Sequence, residues 1–164
     1  MSELNKQALE AASELVSYVG DTVVGINLEL DENHQYQNNV LSFRFNPETN
    51  RLEVSHYVAA AGLPDDPPKL VQRFKMVDTA LQDPAIGGMY EMDGGKVHLV
   101  EEKRVFEYTK EYDPLTISKQ DFRKQFQYYL KIAQAWSDRW YLQVARITHG
   151  KREAPSAPVT LNNP

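Results

Sequence analysis

Histidine is the side chain best suited to move a proton or hold a metal near neutral pH, and the chain has four: His34, His56, His98 and His149. None stands at a ligand spacing, and there is no H-E-x-x-H, paired-histidine motif or EF-hand loop. His34 lies in a polar stretch and His149 beside the tail, while His98 alternates with Val97 and Leu99 and so points away from their face. His56 alone falls on an apolar strand face, with Leu52, Val54 and Val58. A hydrogen-bonded histidine at the edge of the core is the plain reading, a general base the sharper one. The adjacent acids Asp65-Asp66 and Glu101-Glu102 suit a helix cap and a solvated surface, whereas acid–base work needs two carboxyls in unequal environments. Gly87-Gly88 and Gly94-Gly95 bracket a hairpin and open no helix, so they lack the context of a phosphate cradle. No G-x-S-x-G occurs, and without cysteine there is no thiol nucleophile or thiolate metal site. No catalytic residue, metal site or cofactor is therefore expected.

The remaining concentration of special residues is aromatic. Trp136 and Trp140, the only tryptophans, stand four apart on one helix face, beside Tyr128, Tyr129 and Tyr141. Covering a sheet is one use for such a face. Its apolar positions spread wider than one sheet contact requires, and Trp and Tyr are favoured at protein interfaces, which makes a second chain the other use. Stacking of nucleic-acid bases is disfavoured by the charge: eighteen Lys and Arg are scattered among twenty-three Asp and Glu, for a net charge of −5.

At 164 residues, 41% hydrophobic and 25% charged, the chain has the composition of one globular domain. No stretch approaches the roughly 18 apolar residues that cross a bilayer. Met1-Ser2-Glu3-Leu4-Asn5-Lys6-Gln7 lacks both the basic start and the apolar run of a secretory signal, and the absence of cysteine leaves no sign of adaptation to an oxidising compartment. A cytoplasmic protein is expected.

Apolar residues at three- and four-residue steps (Leu4, Ala8, Ala11, Ala12, Leu15, Val19) predict a helix over Glu3 to Val19. Ser2 is placed to cap it and Gly20 to end it in a left-handed conformation. Three strands should follow. Val24, Ile26, Leu28 and Leu30 alternate in Thr22 to Leu30; after a polar loop, Asp31 to Asn39, so do Leu41, Phe43 and Phe45; and after the turn Asn46 to Asn50, so do Leu52, Val54, His56 and Val58. Pro64-Asp65-Asp66-Pro67-Pro68 signals a helix start, and Leu70, Phe74, Val77 and Leu81 mark its face to about Gln82. Ile86 to Met92 and Lys96 to about Tyr108 flank Asp93-Gly94-Gly95, a hairpin signal. The second arm is interrupted by Glu101-Glu102-Lys103-Arg104, which leaves open one long strand, a bulge or two short strands. A last helix runs from about Lys119 to Ala145, capped by Ser118 with Asp121, and would extend about 40 Å. Residues 1–149 are thus expected to form a single α+β domain of order α-β-β-β-α-β-β-α with an antiparallel sheet, and residues 150–164 a flexible tail.

This order resembles the type III secretion chaperone-like superfamily, which includes the class I secretion chaperones and the YbjN-like proteins. The likeness runs from Val54 to Trp136: a strand ending in Ala59-Ala60-Ala61-Gly62-Leu63-Pro64, the helix from Pro67 to Leu81, the glycine-turned hairpin, and the helix opened by Ser118. It is carried by the pattern of elements and apolar positions, without signature residues. The resemblance implies a small homodimeric protein that holds an extended client on apolar patches and sheet edges, without a cofactor. Strand addition would supply affinity through backbone hydrogen bonds. On that reading Val24, Ile26, Leu28, Leu41 and Phe43 bind the client, with their plain role as core residues standing beside it. Phe74, Tyr129, Trp136 and Trp140 mediate self-association. The long final helix and the polar loop Asp31 to Asn39 depart from the family pattern. Two other functions compete: an inhibitor or immunity-type protein that blocks one partner through an acidic face, and a small-ligand or enzymatic α+β protein with a pocket on which His56 and Tyr57 converge.

Overall fold

The structure, a computed structural model, describes residues 1–60, 72, 95–100 and 102–149, and the side chains of 143, 144 and 146–149 are excepted. Helix α1 spans Glu3–Val19, as its apolar spacing predicts. Ser2 caps it: the Asn5 N–H donates to Ser2 Oγ at 3.1 Å, and the Ser2 N–H donates to Asn5 Oδ1 at 3.2 Å, so the pair satisfies two otherwise orphaned amides. Asn5 also donates from Nδ2 to Pro47 O (2.7 Å) and Asn50 Oδ1 (2.6 Å), which pins the start of α1 to a turn of the sheet.

Gly20 does not end α1 in the left-handed region. Its φ is −57°, the chain continues through one π-helical turn, Gly20–Val24, and the left-handed residue is Gly25 at φ +83°. The amides of Gly25 and Ile26 both donate to Gly20 O, at 2.7 and 3.0 Å. Thr22 to Leu30 is accordingly no strand. Residues 22–24 lie in the π turn and 26–30 are irregular.

The sheet has five antiparallel strands in the order β1-β2-β3-β5-β4: β1 Gln35–Gln37, β2 Leu41–Asn46, β3 Arg51–Ala60, β4 Lys96–Val100 and β5 Val105–Tyr112. The first strand therefore falls inside the segment whose polarity predicts a loop. Tyr36 pairs opposite Phe43 and is partly buried, while Gln35 and Gln37 face the other way. β2 and β3 form the expected hairpin, with Phe43 opposite Val54 and Phe45 opposite Leu52. Of the readings open for residues 96–108, two short strands is the observed one, with β4 and β5 folded on each other from Lys96↔Thr109 to Val100↔Val105. β3 and β5 pair with a register shift between Tyr57 and Ala59. Apart from Gln72, which is helical, the helix expected from Pro67 to Gln82 lies outside the described residues, as do the strand Ile86 to Met92 and the tail from Gly150.

The last helix, α2, spans Lys119–His149, and the Asp121 amide donates to Ser118 Oγ at 3.1 Å. A short turn after β5, in which Asp113 Oδ1 accepts from the Leu115 amide at 3.0 Å, sends α2 back over the strand it follows. The aromatic contacts trace its course. Phe122 meets Tyr112 edge-on (4.9 Å between centroids), Phe126 meets Phe43 (5.7 Å), Tyr129 stacks on Tyr108 (4.6 Å), and Trp136 and Trp140 both meet Phe106 (5.2 and 4.5 Å). Helix α1 packs on the same face of the sheet through Ala8, Ala12, Leu15, Val16 and Val19. The result is two layers around one apolar core, and the opposite face of the sheet is built from polar residues such as Ser42, Arg44, Glu53, Ser55, Glu107 and Thr109.

Candidate functional site

His56 is a core-edge residue. It sits on β3 between Leu41 and Tyr108, its ring meets that of Tyr129 edge-on at 6.4 Å, and Nδ1 lies 2.5 Å from the carbonyl oxygen of Tyr57. A carbonyl only accepts, so Nδ1 carries the proton and donates. Burial pushes the His56 pKa below its ordinary value, against a smaller upward pull from that hydrogen bond. The folded protein thus favours neutral His56 over the charged form more than the unfolded chain does. This contribution to stability is complete above the unfolded pKa of about 6.5 and is lost as pH falls through the lower folded value. The urea midpoint is expected to fall between about pH 7.5 and about pH 5, and His56→Leu should flatten that slope; parallel slopes would remove His56 as its source.

Tyr57 turns to the other side of the sheet, opposite Glu107, so His56 and Tyr57 do not converge on one pocket. The Tyr57 hydroxyl lies 3.5 Å from that of Tyr141 on α2, and this contact, with a smaller effect of burial, raises its pKa to about 12. At the same place α2 holds the end of β3: Trp140 Nε1 donates to Ala60 O at 3.1 Å, and the Ala60 amide donates to the Tyr141 hydroxyl at 3.4 Å.

A concavity with apolar lining lies beside Tyr57, on the polar face of the sheet. It is a cleft of about 300 Å³ that runs from the β1–β2 turn across β3 to β5, with Val40, Tyr57 and Val105 as apolar surfaces and Ser42, Lys103 and Glu107 among its polar ones. Local hydrogen bonds build its near wall. Asn38 Oδ1 accepts from the amides of Val40 and Leu41, both at 2.8 Å, and the Tyr57 amide donates to Val40 O at 2.8 Å. This rigid turn lifts Val40 out of the sheet, 48% exposed. A second depression, about 620 Å³, lies over Arg51, Glu53, Lys96 and Glu111, where charges of both signs alternate. Among the described residues this face carries charges of both signs with no acidic patch, and exposed acids that share a side lie on α1, at Glu3, Glu10 and Glu14. Among the described residues, no group of three or more His, Asp or Glu is arranged to hold a metal ion, and no helix is long and apolar enough to cross a membrane.

The structure separates the residues that the sequence grouped. Leu28 and Phe43 are fully buried and Leu41 nearly so, Val24 is partly buried, and only Ile26 is exposed, at 48%. Tyr129, Trp136 and Trp140 face the sheet with 0–1% exposure, while Phe74 lies outside the described residues. Exposed Val40 and Tyr141, with half-buried Val105, carry the apolar surface near the cleft, and sequence reasoning singled out neither Val40 nor Val105. The Asn38-Asn39 pair before Val40 is the signal that could have done so, since Asn side chains close turns on their own backbone.

No family model matches the sequence, and no curated protein does. Among solved structures the chain is similar to a chain of the HopA1–SchA chaperone–effector complex, with a TM-score of 0.54 and 12% identity over 80% of this chain and 97% of that one. It is also similar to a chain of the ExsC–ExsE complex, with a TM-score of 0.55 and 13% identity over 84% of this chain and 96% of that one. At these identities the likeness is one of fold. The chain has the type III secretion chaperone-like α+β fold that its order of elements suggests.

Proposed function

We propose that this protein is a non-enzymatic, secretion-chaperone-like binding protein that holds an extended segment of a protein guest, acting in the cytoplasm as a homodimer. The observation that carries the reading is the fold, which it shares with chains solved in a chaperone–effector complex and in the ExsC–ExsE complex. Guest side chains lie in the cleft against Val40, Tyr57 and Val105, with Glu107 and Lys103 on its rim. Exposed Ile26, with half-buried Val24 beside it, is a second apolar contact at the end of α1, the part of the expected client surface that the fold leaves open. Because Tyr129, Trp136 and Trp140 are committed to the sheet, a dimer contact through α2 uses its other side.

Selection from a displayed library of unstructured peptides, followed by titration of the selected peptides, tests this. Val40→Asp places a charge in the apolar part of the cleft without touching the core. It should weaken binding about tenfold, equivalent to about 1.4 kcal/mol, with the wild-type far-UV spectrum retained. Failure to select any binder, or binders indifferent to both Val40→Asp and Ile26→Asp, would remove the proposal.

A further inference from the structure

The open side of β1 is a place where another chain could add a strand. In its antiparallel ladder with β2, His34 O accepts from the Phe45 amide at 2.9 Å and the Asn38 amide donates to Leu41 O at 3.0 Å. The His34 carbonyl, Tyr36 and the Asn38 amide thus face β2, and Gln35 and Gln37 direct their backbone groups to the open side. Both groups of Gln35 are taken by one residue. The Gln35 amide donates to Asp31 Oδ1 at 3.1 Å, and the Asp31 amide donates to Gln35 O at 2.9 Å. Asp31 is itself held in place: its Oδ1 also accepts from the Asn33 amide at 2.8 Å, and its carbonyl accepts from the His34 amide at 2.8 Å, with His34 at φ +63°.

The strand so closed is unusually suited to pair with itself. Gln35-Tyr36-Gln37 reads the same in both directions and carries no charge, so it lacks the lysine or other charge that commonly protects an edge. Two copies laid antiparallel about Tyr36 would set Gln35 opposite Gln37 of the second copy, twice. Each of those pairs would exchange two backbone hydrogen bonds. That ladder needs the N–H and C=O of Gln35, the groups that Asp31 occupies. We infer that Asp31 is a guard of the sheet edge: it closes β1 against strand pairing with a second copy of this chain, and among the described residues only the backbone of Gln37 is left on that side.

The inference is independent of guest binding and is tested on the full chain. Asp31 is exposed, so Asp31→Ala leaves the core untouched. It removes the acceptor of the Gln35 and Asn33 amides, and once that carboxylate no longer holds the turn on β1, the residue-31 amide releases Gln35 O as well. The Gln35 amide should exchange with solvent deuterium about tenfold faster or more, and sedimentation velocity should show concentration-dependent assembly beyond the wild-type state. Asp31→Asn keeps an Oδ1 acceptor and should behave as wild type. Adding Gln37→Pro to Asp31→Ala removes the second outward donor and should abolish the added assembly while Gln35 stays fast. Unchanged Gln35 exchange in Asp31→Ala would overturn the closure. Fast exchange with wild-type sedimentation at every concentration, or assembly that survives Gln37→Pro, would overturn the guarding role.

Discussion

Trp140→Ala is expected to lower the unfolding free energy by about 3–5 kcal/mol, the range for removing a buried aromatic side chain. The indole is 1% exposed, meets Phe106 edge-on at 4.5 Å and stacks against Trp136 at 5.9 Å. Alanine leaves a cavity between helix and sheet, and it also removes the Nε1 donor from Ala60 O, a carbonyl at the very end of β3. For a domain stable by about 5–15 kcal/mol, that is a large fraction of the whole. Trp140→Phe separates the two effects: it keeps most of the ring contact, loses the hydrogen bond, and should cost about 1–2 kcal/mol. Urea denaturation followed by far-UV circular dichroism measures both. A loss below about 1 kcal/mol for alanine would mean that α2 does not close the core at this end. Because Trp140 and Tyr141 fix the strand end next to Tyr57, peptide affinity should fall with stability in the alanine variant and largely persist in the phenylalanine one.

Gly20→Val should cost about 1–3 kcal/mol, as overpacking in a filled interior does. Gly20 is buried in right-handed backbone, so conformational freedom is not what the position demands. Space is. A Cβ there would stand 2.8 Å from the carbonyl oxygen of Ile26 and 2.9 Å from Leu28 Cβ, and valine would add two methyl groups to that contact. The Ile26 carbonyl is backbone and Leu28 is fully buried, so relief requires the π turn itself to open. Gly25→Ala is the contrasting case. Its Cβ meets nothing within 4 Å, but φ is +83°, so the penalty is the left-handed conformation alone, about 1 kcal/mol. Thermal or urea denaturation of both variants checks the order. If Gly25→Ala proves the more damaging, the close approach at Gly20 is not a structural constraint.

The two glycines also show where sequence reasoning succeeds and where it stops. Glu3–Val19, the hairpin from Leu41 to Val58 and the start of α2 at Lys119 were legible because each couples an unbroken apolar period to a local end signal: Ser2, the Asn46 to Asn50 turn, and Ser118. Thr22 to Leu30 misled because Val24, Ile26, Leu28 and Leu30 alternate as a strand would. A short alternation constrains only which side chains want burial, and Leu28 finds it against Gly20 without any strand partner. Gln35-Tyr36-Gln37 misled in the opposite sense. Its composition is that of a loop, yet a single apolar residue opposite Phe43 is sufficient for an edge strand whose other face meets water.

The candidate site divides in the same way. From its own residues the chain determined an α+β domain with helices on an apolar sheet face, because periodicity and capping act between near neighbours and are written locally. Which apolar residues remain at the surface was decided only in three dimensions. Trp136 and Trp140 are covered by Phe106, thirty and more residues away, while Val40 is left exposed by a turn closed through Asn38. Exposure depends on contacts between segments far apart in the chain, and so does the closing of β1, which needs Asp31 to meet a strand whose existence depends on Phe43.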